Sequence, residues 1–245
     1  MLRYLPLFIL LSLIAEILGT LGGFGSSVFF VPMANYFMDF KSVLGVTALF
    51  HMSSNITKIA FFRKGFHSKL SFTLGVPAVI FVSVGAYSSK FFDPVVLTYI
   101  LGVFLILMSA FLLIFKKFYF LPNTKNAIFG GMISGLSAGL LGTGGAIRGI
   151  TMASFNLKKD VFIATSAVID LAIDFSRSFI YISNGYVHKH DLYLIPILMI
   201  VSIIGTWIGK QFLNSISHKQ FKHIALLLIL LIGITTVLNN ILKIN

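Results

Sequence analysis

Apolar runs long enough to cross a bilayer recur along the chain at about 70–89, 95–115, 191–213 and 224–242, where a spanning helix needs roughly 20 residues. Inside a hydrocarbon layer every backbone N–H and C=O must be paired within the protein, so only helices or a closed barrel can cross it. The runs are continuous rather than alternating, which selects helices. Hydrophobic residues make up 57% of the 245 and charged residues 11%, with a mean hydropathy of +0.97, well outside the soluble range. This length gives room for about eight membrane segments joined by short connections, and none for a separate soluble domain. The expectation is an all-α integral membrane protein whose chemistry lies within the bilayer.

The N-terminal MLRYLPLFILLSLIAEILG has the charge and apolar stretch of a signal peptide, but Glu16 stands where a small-residue cleavage pattern belongs. It reads as a retained first segment. The absence of cysteine excludes disulfides, thiolate metal sites and cysteine nucleophiles. The formal charge of +12 does not point to nucleic acid, because the basic residues lie in short loops between apolar runs, where they encode membrane orientation.

An internal repeat organises the chain into two transmembrane halves, 1–120 and 121–245. An offset of 119 or 120 residues pairs Gly22 with Gly142, Gly25 with Gly145, Met33 with Met152, Gly65 with Gly185, Pro77 with Pro196, Gly85 with Gly205 and Lys90 with Lys210. The same register sets His51, Asn55 and Lys58 against Asp170, Asp174 and Arg177. Positions i, i+4 and i+7 share one helix face, so each half presents one polar stripe. Each half reads as a glycine-broken element (4–38; 125–156), a polar-striped helix (43–62; 161–182) and two mostly apolar spans.

If the broken element is a hairpin, the two sides of the membrane carry 11 and 5 loop lysines and arginines. The richer side holds Arg63, Lys64, Lys69, Lys116, Lys117, Lys125, Lys158, Lys159, Lys210, Lys219 and Lys222 and is predicted cytoplasmic. Both termini are then outside, and the halves enter from opposite faces. Such inverted-topology repeats underlie many secondary transporters.

A helix interrupted in lipid is tolerated only where its freed backbone groups are buried in protein or line a wet cavity. After GTLGGFGSS (19–27) and LLGTGGAIRG (140–149), a returning half-helix directs its free N–H groups and positive dipole end at that cavity, an anion site made of backbone. Gly22, Gly23, Gly25, Gly142, Gly144 and Gly145 frame it, with Ser26 and Ser27 as hydroxyl donors or helix caps. By contrast Gly131, Gly135 and Gly139, and Gly205 with Gly209, have the spacing of helix-packing contacts. Neither loop ends as a P-loop does.

Each ionised residue at mid-bilayer costs ~2.5–3.5 kcal/mol on insertion scales, and the chain places Lys58, Arg148, Asp170, Asp174 and Arg177 there. Two readings remain open. In one, Asp174 pairs with Arg177 at i, i+3 and Asp170 with Arg148, holding the halves together. In the other, Arg148 clamps an oxyanion while Asp170, Asp174 and His51 titrate. Counting Glu16, the buried charges cancel, so only geometry can select an anion. A snorkelling Lys58 and a hydrogen-bonded core His51 are the bland alternatives to ligands. His188, His190 and Asp191 have metal-like spacing, but a loop location favours solvated polar residues.

The GGFGSSVFFVP run at 22–32, TALFHMSSNITKIAFFRKG at 47–65, the ISNGYV turn at 182–187 and the repeated Gly-x5-Lys pattern at 85 and 205 resemble the TauE/SafE-type sulfite exporter family of bacterial membrane permeases. The resemblance covers nearly the whole chain. It implies a secondary transporter of small sulfur-containing oxyanions or organosulfonates, with export the usual assignment and the two glycine loops framing a central site. The chain departs from the pattern in its second loop, where AIRGITM, with Arg148 and no proline, replaces an apolar stretch of the VFFVP kind.

The expectation is therefore an inner-membrane, multi-pass transporter working by alternating access. Its partners are a small anionic substrate, the lipid bilayer and, as a candidate coupling ion, the proton. The alternatives are a permease or channel for another small ion, or a structural membrane subunit without transport. No catalytic residue, metal or cofactor is expected, since an enzyme built on Asp170 and Asp174 would lack a GxGD motif, a Ser-His arrangement or a clustered metal site.

Overall fold

The computed structural model describes residues 4–23, 25–63, 65–115, 121–213 and 218–244. Among them are ten α-helices and no strand: α1 (Leu5–Gly22), α2 (Ser27–Ala34), α3 (Phe40–Phe61), α4 (Ser68–Ser88), α5 (Pro94–Ile114), α6 (Thr124–Leu141), α7 (Gly145–Ala153), α8 (Lys159–Ser183), α9 (Leu194–Phe212) and α10 (His218–Ile244). The glycine breaks fall between α1 and α2 and between α6 and α7, as the sequence predicts. Lys64, Lys116 and Lys117, which enter the orientation argument, lie outside the described residues, as do the side chains of Lys219 and Lys222.

Among the described residues, five helical stretches are long and apolar enough to cross a membrane: Leu5–Gly22, Ser68–Phe91, Pro94–Ile114, Leu194–Phe212 and His223–Leu242. Helices α3, α6 and α8 are at least as long as α1, but their sequences mix apolar with polar and small residues that turn inward. The outward faces are apolar. On α4, Phe72, Val76, Ile80 and Val84 form an exposed strip at four-residue spacing, while Leu70, Leu74, Ala78 and Val82 on the opposite face are buried. A strip of this kind suits contact with lipid tails.

Side chains cap the starts of α3, α5 and α6, while α1, α8 and α9 begin without one. Asp39 accepts from the Ser42 N–H at 3.0 Å, Asp93 from the Val95 N–H at 2.7 Å and Asn123 from the Asn126 N–H at 2.8 Å. Partial burial pushes the Asp39 carboxyl up, but the hydrogen bonds from Ser42 and the nearby His188 outweigh it and hold the group below the usual carboxylate value. No side chain caps α2 or α7. Ser26, at the N-cap of α2, makes no capping bond, so of the two roles the sequence leaves open to it, hydroxyl donor or helix cap, it does not take the second. Its hydroxyl is engaged elsewhere.

Helices pack in matched pairs. α4 lies along α6 and α1 along α9; α4 and α9 also touch α8 and α3 respectively; α3 meets α8, and α5 meets α10. Exchanging each helix with the one five places away in chain order maps these contacts onto one another, and the hairpin of each half lies against the other half. Small residues permit this closeness. A Cβ on Gly131, Gly135 or Gly139 of α6 would meet the carbonyl oxygens of Leu74, Ala78 and Val82 on α4, and one on Gly205 or Gly209 of α9 would meet Glu16 or Thr20 on α1.

The two hairpin turns share a left-handed cap: Gly23 closes α1 at φ 67° and Gly142 closes α6 at φ 77°, a conformation that glycine adopts without steric cost. Gly23, rather than Gly22, is thus the geometric counterpart of Gly142. Because the α6–α4 contact is backbone against backbone, Gly135→Val should lower stability in detergent by about 1–3 kcal/mol or more. Ile133→Ala, on a half-exposed face of the same helix, should stay within about 0.5 kcal/mol of wild type. Equal melting of both variants would show that the helices do not pack this way.

Candidate functional site

Polar side chains from α1, α2, α3, α6, α7 and α8 converge where the two hairpin turns meet. Ser27, at the start of α2, donates its hydroxyl to Thr143 Oγ1 at 3.2 Å, tying one glycine break to the other. A Cβ on Gly25 would lie 3.5 Å from Arg148 Nη2 and 3.8 Å from the Gly145 Cα. Gly144 is pressed against Ser134 of α6, whose hydroxyl donates to the Gly144 carbonyl at 2.9 Å. The N-terminal ends of α2 and α7 therefore face the same space, and with no side-chain cap on either helix that space receives their dipole ends.

That space is a cavity of about 20 Å3 lined by Gly25, Ser26, Ser27, His51, Asn55, Lys58, Ala138, Gly142, Gly144, Gly145, Arg148, Asp170, Ile173, Asp174 and Arg177. Thirteen of the fifteen residues singled out from the sequence are among these. Gly22 and Gly23 are not: Gly22 ends α1, and Gly23 is spent on the turn, packed against Phe162. Ala138 and Ile173, which spacing did not single out, complete the lining.

Three ion pairs surround the cavity. Lys58 Nζ lies 2.8 Å from Glu16 Oε1, so the lysine, 6% exposed, is buried and paired rather than snorkelling. Glu16 Oε1 also accepts from Ser54 at 2.6 Å and Thr206 at 3.0 Å, and Oε2 accepts from Ser26 at 2.7 Å. Because the one Ser26 proton goes to Glu16, the 3.2 Å contact between Ser26 Oγ and His51 Nε2 requires the imidazole to be the donor. The second pair joins Arg148 Nη1 to Asp170 Oδ1, with Arg148 Nε donating to Ser166 at 3.1 Å. The third joins Arg177 Nη2 to Asp174 Oδ1 at 2.7 Å, and Asn55 of α3 donates to Asp174 Oδ2 at 2.7 Å.

Arg177 does further work at the α6 terminus. Its Nη1 donates to the carbonyls of Ala138 and Gly142, each at 2.9 Å, and the Tyr181 hydroxyl donates to the Gly139 carbonyl at 2.7 Å. These carbonyls lie in the last turn of α6 and at its C-cap, Gly142, where helical partners run out after the Gly142 N–H donates to Ala138. The Arg177 Nε donor, in contrast, is buried without a hydrogen-bond partner among the described residues.

A larger cavity, about 400 Å3, opens at the far end of α2 and is lined by Asn35, Asp39, Thr98, Asn239 and Asn240 among others. The eight residues of α2 separate it from the central cavity, a distance of about 12 Å at 1.5 Å per residue. His188, His190 and Asp191 line neither cavity; the two imidazoles stack at 5.2 Å, and His190 lies 3.5 Å from Asp191. Among the described residues no group of three or more metal-ligating side chains is assembled.

With this geometry in hand, comparison with known proteins is decisive. The profile of the family described as Sulfite exporter TauE/SafE matches residues 8–236. The chain belongs to the TauE/SafE sulfite exporter family. It is 26% identical over 253 aligned residues, covering 94% of this chain and 93% of the other, to a protein described as a probable membrane transporter of Methanocaldococcus jannaschii. No solved structure matches the chain. As a TauE/SafE protein it is a multi-pass membrane transporter.

The partnership of Glu16 with Lys58 went unread in the sequence, and it dominates one wall of the site. Glu16→Gln, which keeps the shape but strands the lysine charge, should cost about 3–5 kcal/mol, whereas the Glu16→Gln/Lys58→Met double variant should recover most of that loss. Thermal melting of the four proteins of this cycle checks it; a single variant as stable as wild type would refute the pairing.

Proposed function

We propose that this TauE/SafE protein exports small sulfur-containing oxyanions or organosulfonates, binding them at the central cavity between two inverted halves, 1–120 and 121–245. The observation that carries this reading is the presence of two buried guanidinium groups, Arg148 and Arg177, in the lining of one cavity onto which the uncapped α2 and α7 open. Planar guanidinium groups match the paired oxygens of sulfite and sulfonate, helix N-termini favour anions, and Arg177 keeps a donor unused.

The exchange of matched helix contacts between the halves supports a repeat, and with α1–α2 and α6–α7 each entering and returning as a hairpin, three long helices of each half cross the inner membrane, so that the halves are inverted and both termini lie outside. A cavity of about 20 Å3 holds about one water and is too small for a sulfur oxyanion. This conformation is therefore closed around the site, and transport proceeds by rocking of the halves to open it to each side in turn. In this orientation the 400 Å3 cavity is the outer vestibule and α2 is the wall between it and the site.

A second reading, a structural subunit without transport, draws on the pairing of every buried cation with a carboxylate. One variant separates the two. Arg148→Ala should lower flux of sulfite, sulfoacetate or thiosulfate into proteoliposomes by about 10- to 100-fold, the loss of one charge-assisted contact. Saturating wild type at 100 times the dissociation constant should raise its stability by about 2.7 kcal/mol, a shift absent from the variant. Wild-type flux in Arg148→Ala would remove the clamp; no flux in either protein would favour the structural subunit.

Orientation is testable because the chain contains no cysteine. A single cysteine at exposed Tyr36 should react with an impermeant thiol reagent in intact cells, and one at exposed Lys158 only after permeabilisation. The reverse pattern would invert the topology.

A further inference from the structure

The three carboxylates around the cavity are held with unequal strength. Glu16 accepts at its two oxygens from four hydroxyls and Lys58 and is fully buried. Asp174 is held at both oxygens, by Arg177 and by Asn55. Asp170 is held by Arg148, with Ser166 one turn back on the same helix as its other donor, and its side chain retains 18% exposure where the other two have 4% or less. Of the three, Asp170 can leave its cation with the least loss.

An anion entering this cavity meets charges that already cancel, Glu16, Asp170 and Asp174 against Lys58, Arg148 and Arg177. A monovalent anion added alone leaves one net negative charge in a medium of low dielectric, where an uncompensated charge is costly. Asp170 also occupies the guanidinium edge that an incoming oxyanion requires. The resident carboxylate and the substrate compete for one cation, and only one of them can remain ionised there without penalty.

Resting on the transporter reading above, we infer that Asp170 couples transport to protons: the oxyanion displaces its carboxylate from Arg148, and Asp170 takes up one proton as it lets go. The balance closes. A carboxylate, a proton and a free anion become a neutral carboxylic acid and an Arg148–anion pair, so a monovalent anion leaves the cavity charge unchanged and moves together with one proton. The charged groups facing Asp170 are Arg148 from α7, His51 and Lys58 from α3, and Asp174 and Arg177 from α8 itself. Of these, Arg148 is the cation in direct contact; once it turns to the anion, the carboxylate faces Asp174 with its own partner engaged elsewhere. His51 is committed to Ser26 and Lys58 to Glu16.

The test uses the full chain purified in detergent and titrated calorimetrically with methanesulfonate and with ethanesulfonate, monovalent anions whose charge is constant between about pH 5 and pH 8, in buffers of different ionisation enthalpy. Wild type should take up about one proton per anion, and its dissociation constant should rise about tenfold per pH unit on the alkaline side. Asp170→Asn should bind without proton uptake and without pH dependence, and in proteoliposomes a pH gradient should drive accumulation by wild type alone. If Asp170→Asn does not fold, Asp170→Glu answers instead: the infrared band of the carboxylic acid formed on binding should shift with the substitution. Anion binding by wild type with no proton uptake overturns the inference and leaves the transporter standing. Proton uptake that persists in Asp170→Asn, or an infrared band unmoved in Asp170→Glu, places the proton elsewhere and also overturns it. Failure of wild type to bind or carry any of these anions overturns the functional reading as well.

Discussion

Six ionised side chains held away from water dictate how this chain folds, because each carries a desolvation cost of several kcal/mol that only a close counter-charge and a full set of hydrogen bonds can offset. Helix α1 brings Glu16 to Lys58, α7 brings Arg148 to Asp170, and α8 carries Asp174 and Arg177 one turn apart. The first two pairings, which join different helices, do not survive if a helix rotates or slides by a turn. The pairs thus fix the register of α1 on α3 and of α7 on α8, and the two glycine breaks place a short helix where a continuous one could not bring Arg148 inward.

Small residues supply the closeness that this register needs. Where α6 crosses α4, glycines every fourth residue let the helices meet backbone to backbone, and on α9 Gly205 and Gly209 leave room for the Glu16 and Thr20 side chains of α1. In lipid no hydrophobic force drives such contact, so van der Waals packing at short range has to do it. Each hairpin is thereby clamped to a long helix of the other half. The turns at Gly23 and Gly142 stay apposed, and the site between them is formed jointly by both halves.

Local spacing carried much of this into the sequence. The Asp174–Arg177 pair is an i, i+3 relation within one helix, and the polar stripes of α3 and α8 are visible as period-matched residues in the repeat, so the cavity lining could be named from order alone. The Arg148–Asp170 pair was accessible as one of two readings because both residues are costly in lipid. Contacts between helices distant in sequence were not legible. Glu16 and Lys58 are joined only once α1 lies beside α3, and Thr206 reaches Glu16 only across α9. The signal for that pair was the equality of buried positive and negative charges, which says that Glu16 must have a partner without saying which. Spacing left Ser26 open as hydroxyl donor or helix cap, and the choice of donor became legible only once α1 set the Glu16 carboxylate beside it. The one-residue slip from Gly22 to Gly23 reflects an offset of 119 at that turn and 120 two residues later.

Duplication creates a problem that this chain solves by asymmetry. Residues equivalent in the two halves lie near each other where α3 meets α8, so a perfect copy would set like against like there. A second aspartate at position 55 would face Asp174 across a low-dielectric contact, an arrangement that forces one of the two to stay protonated. The chain has Asn55 instead, and the amide donates to Asp174 at 2.7 Å, turning a repulsive pair into a hydrogen bond that joins the halves. The same logic separates the cations. Lys58 and Arg177 are counterparts, yet the lysine turns to a carboxylate on α1 while the guanidinium turns to the carbonyls that end α6. Arg148 falls outside this matching, since the first half carries Val28 or Phe29 at the corresponding positions. The shared scaffold makes the cavity, and the residues in which the copies differ give it its charge and polarity.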